Sequence, residues 1–342
     1  RVAATFSPDT LVRDLSVAEQ QMVEIARALS MDSRVIIMDE PTSALSLAEV
    51  EKLFKIVRRL REEGISIIFV THRLEEVMEV CDRFTVLRDG RNAGAGDVAD
   101  ITIDGIIRLM VGREVNTLFE HREAPPPGAV ALEVKGLTRL RTAQDPHATE
   151  IRDVSLAMRS GEILGIAGLV GSRRSELARL ISGAAAATAG TVSVDARPVR
   201  LRTPRDAVRA GIVLLPEDRR HQGLVLGMTV RENVTLPSLA SHRTAGLPVV
   251  RKSSEAKTAN GLVDALRIRT PGIEQEVRRL SGGNQQKVVL AKWLTRDSKV
   301  LIFDEPTQGV DVHAKAEIFA LIRETVAAGR GAIVISSDFA EL

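Results

Sequence analysis

The 342 residues carry a formal net charge of +2, with 27% charged and 44% hydrophobic side chains; this gives no electrostatic case for a nucleic-acid partner and leaves room for two domains. One cysteine, Cys81, excludes an internal disulfide, and the lack of Tyr beside a single Trp, Trp293, supplies little for base stacking. No apolar run approaches the roughly 18 residues of a membrane-spanning helix, and the opening RVAATFSPDTLVRDLS has no apolar signal-peptide core.

In chain order, LSVAEQQM from Leu15 reads as a helix start, with Ser16 and Glu19 in the S-x-x-E capping-box spacing. RVIIM follows, a short apolar run ending at Asp39–Glu40, as expected of a strand buried on both faces of a parallel sheet. LAEVEKLFKIVRRLREEG places Val50, Leu53, Phe54, Val57 and Leu60 on one helical face. SIIFV is a second strand, running into Thr71–His72. Strand–helix alternation predicts an α/β domain. Residues 119–129, FEHREAPPPGA, hold three prolines that block helix and leave a stiff connector. This divides the chain into residues 1–118, a linker at 119–129, and a second domain over 130–342 that begins with the strand ALEVKGL.

The second domain contains GEILGIAGLVGSRRSELARLISG, which reads strand, loop, helix. That context suits a phosphate-binding loop, G-x-x-x-x-G-K-[S/T], whose backbone amides cradle phosphates. Gly168, Gly171 and Ser172 keep the loop's character, but Arg173 stands where the last Gly belongs and Arg174 where the Lys belongs. Arg174 keeps the charge without the compact ammonium, Ser175 has a hydroxyl for Mg²⁺, and Glu176 follows in the helix. Further on, LSGGNQQ puts Ser281 at a helix N-cap, with Gly282 and Gly283 expected to let a phosphate approach the helix amides. VLIFDEPT then ends a strand at Asp304–Glu305, an Asp suited to hold Mg²⁺ and a Glu suited to polarise water.

These landmarks repeat. Leu15 and Leu280, Asp39 and Asp304, and His72 and Ser337 are each 265 positions apart, so the chain holds two copies of one domain. The first copy has no counterpart of GLVGSRRSEL, and the offset predicts about 135 residues ahead of Arg1.

Together the residues resemble the ATP-binding-cassette family: LSGGNQQ its signature, VLIFDEPT its Walker B, FVTHR its histidine switch. LSVAEQQMVEIARALS, MVGRE (110–114), PEDRRHQGLVLGMTVRENV (216–234) and LSGGNQQKVVLAKWL are similar to the tandem-cassette ATPases of bacterial ribose, xylose and galactose importers. The resemblance covers essentially the whole chain and implies two P-loop NTPase-type domains facing head to tail. It assigns ATP binding to Gly168, Gly171, Ser172, Arg173, Arg174, Ser175, Glu176, Glu217 (near the usual Q-loop Gln), Ser281, Gly282, Gly283, Gln285 and Ser16. Mg²⁺ would fall to Asp39, Asp304 and Ser175, and catalysis to Glu40, His72 and Glu305. One composite site collects Arg173, Arg174, Ser337, Val17, Ala18 and Glu19 and reads as worn; the other collects Asp39, Glu40, His72, Ser281, Gly282 and Gly283 and reads as sound. The implied partners are membrane permease subunits and an outside sugar-binding protein, with no nucleic acid and with two copies of the chain in the transporter, on the cytoplasmic face of the membrane. A nucleoside importer ATPase, a ribosome-associated tandem-cassette factor and an inert nucleotide-binding remnant are the alternative readings.

Overall fold

The computed structural model describes residues 7–15, 17–31, 33–42, 45, 47–71, 73–88, 90–111, 128–141, 145, 148–168, 171–244, 249–310 and 312–342. Ser16, His72 and the Pro-rich stretch through residue 127 lie outside them. The chain divides into two compact units, residues 1–120 with 311–313, and residues 121–310 with 314–342.

The first unit runs α1 (Val17–Leu29), β1 (Val35–Asp39), α2 (Leu47–Glu62), β2 (Ser66–Val70), α3 (Leu74–Val80), β3 (Arg83–Arg88), β4 (Arg91–Asp97) and α4 (Ile103–Val111). β1 and β2 pair in parallel, while β3 and β4 form an antiparallel hairpin. The expected stripe on α2 is the core: Val50, Leu53, Phe54, Val57 and Leu60 pack with Ile36 and Met38 of β1. Each such side chain, fully buried, contributes about 1.5–3 kcal/mol.

The second unit continues with β5 (Val130–Arg139), β6 (Ile151–Arg159), β7 (Ile163–Ala167), α5 (Arg174–Ile181), β8 (Ala189–Val194), β9 (Arg197–Val199), α6 (Pro204–Ala210), β10 (Ile212–Leu215), α7 (Val230–Thr235), α8 (Lys252–Ala265), α9 (Gly282–Leu294), β11 (Val300–Asp304), α10 (Val312–Ala327) and β12 (Gly331–Ser336). A parallel sheet of order β10–β11–β12–β7 carries α9 and α10 on one side and α5 on the other. An antiparallel sheet of order β6–β5–β8–β9 shares a core with α5. The pleat explains the burial: Leu301 and Phe303 of β11 face the α9 and α10 side, whereas Val300 and Ile302 join Leu177, Ala178 and Ile181 of α5.

The repeat is visible in three dimensions. α1, β1, α2 and the start of β2 recur as α9, β11, α10 and the start of β12, each displaced by 265 positions. One expectation fails in the first copy. β1 alternates buried and exposed, with Val35 54% and Ile37 68% exposed, instead of being buried on both faces. The register aligns Ile37 with Ile68 and Asp39 with Val70, so the exposed residues of both strands share one face. In the second unit the matching face is the one α5 covers; no counterpart of α5 lies among the described residues of the first.

Candidate active site

In the second unit the loop after β7 and the end of β11 meet. Parallel pairing puts the carboxyl ends of β7, β12 and β11 at one edge of the sheet, where such folds bind ligands. Within the loop a Cβ on Gly168 would collide with the Ser172 hydroxyl, so the turn needs glycine there. Gly171 adopts φ +90°. Arg173 caps α5 at φ +69°, a left-handed conformation that costs a side-chain-bearing residue about 1–2 kcal/mol. Its side chain turns outward, where Nη1 donates to the Glu150 carbonyl at 2.7 Å. The backbone thus keeps a glycine-type geometry that the sequence no longer matches.

Ser175 Oγ donates to Asp304 Oδ1 at 3.0 Å. A hydroxyl and a carboxylate so placed are hard oxygen donors of the kind Mg²⁺ takes, with water and phosphate completing its shell. Among the described residues no group of three or more His, Cys, Asp or Glu could hold a metal by itself. Asp304 is buried, and desolvation, reinforced by Glu217 and Glu305 and only partly offset by Ser175, lifts its carboxyl from 3.8 to about 6.

Arg174 does not extend from the loop as the Lys it replaces was expected to. Its guanidinium donates to the Gly168 carbonyl through Nη1 and to Glu305 Oε1 through Nη2. Both side chains of the Arg174–Glu305 pair are about nine-tenths buried, at 10% and 8% exposure, and Arg174 Nε has no partner. Burial pushes the Glu305 carboxyl up, with Arg174 opposing. Glu305 Oε1 also accepts the Ser337 amide at 2.8 Å, which brings the third strand end into the cluster. Glu176 lies in the first turn of α5.

The remaining sequence candidates divide. Glu217 is exposed and accepts from Gln308 Nε2 at 3.0 Å. Ser281 stands at the N-cap of α9, yet its side chain makes no bond to the helix backbone; Oγ accepts from Asn284 Nδ2 at 2.9 Å. Gly282 and Gly283 are closely packed where a side chain would project. A Cβ at Gly282 would come within 2.6 Å of Arg219 Nη2 and 2.8 Å of the Gly309 carbonyl, and one at Gly283 within 2.7 Å of Ala314. Their smallness admits protein neighbours. The Gln285 amide is buried and donates to the Val277 carbonyl at 3.1 Å.

In the first unit Asp39 and Glu40 are exposed, in contrast to their buried counterparts. Glu40 adopts φ +45°, as Glu305 adopts φ +46°. Its amide donates to Val70 at 2.8 Å, the equivalent of Glu305 to Ile335 at 3.0 Å. Ser16 and His72 lie outside the described residues, as do the side chains of Val17 and Ala18, while Glu19 lies in the first turn of α1.

Sequence reasoning passed over Arg219, whose Nη1 and Nη2 donate to the Gln308 and Gly309 carbonyls at 2.6 and 3.2 Å. It lies in the PEDRRHQG stretch, but its carbonyl partners are about 90 positions away. Glu76 and Glu341 were also passed over, although they too are 265 positions apart.

The model of the ABC transporter family matches residues 2–43 and 151–308. The chain is 45% identical over 340 residues to the ribose import ATP-binding protein RbsA of Chromobacterium violaceum, covering 99% of this chain and 66% of that one. It is 47% identical over 342 residues to a putative ribose/galactose/methyl galactoside import ATP-binding protein of Burkholderia cenocepacia, covering 100% of this chain and 65% of that one. The chain therefore spans just under two-thirds of the length of these relatives. Among solved structures, the archaeal ribosome recycling factor aABCE1 in complex with the stalk protein aP1 is similar with a TM-score of 0.63 at 21% identity, covering 96% of this chain and 60% of that one. An ATP-binding cassette bound to ADP and Pi is similar with a TM-score of 0.52 at 21% identity, covering 61% and 89%. At these identities the structural likeness is one of fold.

Proposed function

The chain belongs to the ABC transporter family, and on that premise we propose that it is the ATP-hydrolysing part of a bacterial importer for a monosaccharide. The observation that carries the chemistry is the meeting of Ser175 and Arg174 with Asp304 and Glu305 at the carboxyl edge of the parallel sheet. The sugar class rests on the relatives, a ribose import ATP-binding protein at 45% identity and a putative ribose/galactose/methyl galactoside import ATP-binding protein at 47%.

Residues 1–118 and 130–342 act as two cassettes joined through 119–129. In the second, Gly168, Gly171 and Ser172 shape the phosphate turn, and Ser175 with Asp304 would hold Mg²⁺, which when bound neutralises charge on the phosphates. In the first, Asp39 occupies the metal position and Glu40 the position that orients water, with His72 sensing the terminal phosphate. Arg174 already holds Glu305, and Ser337 stands where the first copy has His72. Turnover therefore belongs to the acid of the first cassette, and the second binds nucleotide weakly. The protein works peripherally on the cytoplasmic face of the membrane with permease subunits and an outside sugar-binding protein. No described helix is long and apolar enough to cross a membrane.

The test is uptake of labelled ribose and galactose into vesicles holding the intact protein with its permease and binding protein. ATP-dependent uptake of either sugar is the expected result. Uptake of nucleosides alone would move the substrate class; no uptake and no ATP turnover would overturn the reading.

A further inference from the structure

A carboxylate buried in a protein interior is costly unless fully bonded. Two such groups occur at equivalent places in the two copies. Glu76 of α3 is 7% exposed and Glu341, just after β12, is 6% exposed. Glu341 Oε2 accepts from Ser336 Oγ at 2.8 Å, while Oε1 accepts from Thr307 Oγ1 at 2.6 Å and Lys315 Nζ at 2.9 Å. Glu76 Oε2 accepts from Thr71 Oγ1 at 2.9 Å, and its Oε1 lies 3.5 Å from Arg73 Nη1. The cation differs, because Val50 occupies the position equivalent to Lys315. What persists is a buried carboxylate gripping the hydroxyl at the end of the strand.

That hydroxyl is fixed from its other side as well. Thr71 Oγ1 accepts the Arg73 amide and Ser336 Oγ accepts the Asp338 amide, both at 3.0 Å. The residue between, His72 or Ser337, is thereby bracketed in sequence by two bonded neighbours. In the second unit the product of this geometry is visible, since the Ser337 amide reaches Glu305 Oε1 at 2.8 Å. Thr307, the other hydroxyl on Glu341, belongs to the turn that carries Glu305.

We propose that Glu76 and Glu341 are equivalent positioning residues, each holding the turn after its strand in place beside the acid that ends the neighbouring strand, Glu40 or Glu305. The inference rests on the reading of Glu40 and His72 as catalytic groups. In the intact protein assembled with its membrane partners, Glu76→Met removes the acceptor at nearly constant volume. ATP turnover should fall about 10- to 100-fold while the KM for ATP stays within about twofold. Glu76→Gln, which keeps a carbonyl for Thr71, should restore most of the rate. Added to His72→Ala, Glu76→Met should cost no more than about a further twofold, because both act through one turn. Losses that multiply, or a Glu76→Met variant that is folded and fully active, overturn the proposal. Should His72→Ala itself leave turnover intact, the catalytic reading fails, and the positioning role is decided by amide exchange in this chain. Glu341→Met should then speed exchange at Ser337 about tenfold with the interior of β12 still protected; unchanged exchange at Ser337 overturns it.

Discussion

Arg174 of the phosphate loop is paired with Glu305, the acid at the end of β11 in the same unit. The residue that replaced a phosphate-binding lysine thus holds a carboxylate of its own protein. Arg174→Met would leave Glu305 buried without its cation, keeping only the Ser337 amide, which costs about 3–5 kcal/mol. Urea denaturation followed through the fluorescence of Trp293, in α9, reads the loss. The double variant Arg174→Met/Glu305→Gln should recover most of it; a single variant as stable as the parent would show that the pair is not formed in solution.

Arg173 bears a side chain at φ +69°. Arg173→Gly should therefore stabilise the unit by about 1 kcal/mol, the cost of the left-handed backbone less the exposed bond to Glu150. The same denaturation curve checks it. A lower midpoint would mean that the Glu150 contact outweighs the backbone cost.

The Asp304 carboxyl is raised from 3.8 to about 6 by burial. The folded state therefore keeps a proton that the unfolded state releases. The associated stability is complete below pH 3.8 and lost as pH rises through about 6. Asp304→Asn, which still accepts from Ser175, should be more stable than the parent by roughly 3 kcal/mol at pH 7 without Mg²⁺ and no more stable near pH 3.5. Equal gains at both pH values would place the effect elsewhere.

Glu40 and Glu305 share a backbone conformation and a strand-end position, but not an environment. In the intact, assembled protein Glu40→Gln should reduce ATP turnover about 10²–10⁴-fold, the contribution of a general base. Glu305→Gln should cost less than tenfold, because Arg174 already holds that carboxylate. Steady-state phosphate release measures both, and equal losses would mean that both acids turn over.

The α/β class, the offset of 265, the α2 stripe and the strand ends at Asp39 and Asp304 were all legible, because each follows from periodicity or from a short motif. Glu305 was legible as an acid but not as the partner of Arg174, since 131 positions separate them. The close packing about Gly282 and Gly283 was not legible for a related reason. What lies against them is Arg219 and Ala314, brought there by the tertiary fold. β1 was expected to be buried on both faces because RVIIM and KVLIF are equally apolar; whether a helix covers the second face is a property of the neighbours, not of the strand. Glu76 and Glu341 look like ordinary helix-surface acids in sequence, and only burial distinguishes them.

The uncovered side of β1 and β2 has a consequence for how the chain behaves in solution. Val35, Ile37, Ile68 and Val70 form one apolar strip on the exposed face of this two-stranded pair, the kind of surface through which proteins aggregate. The chain taken alone should cluster as its concentration rises, with sedimentation profiles that sharpen to a single species in Ile37→Lys/Ile68→Glu. These two residues face each other across the register, so the introduced charges would pair with one another.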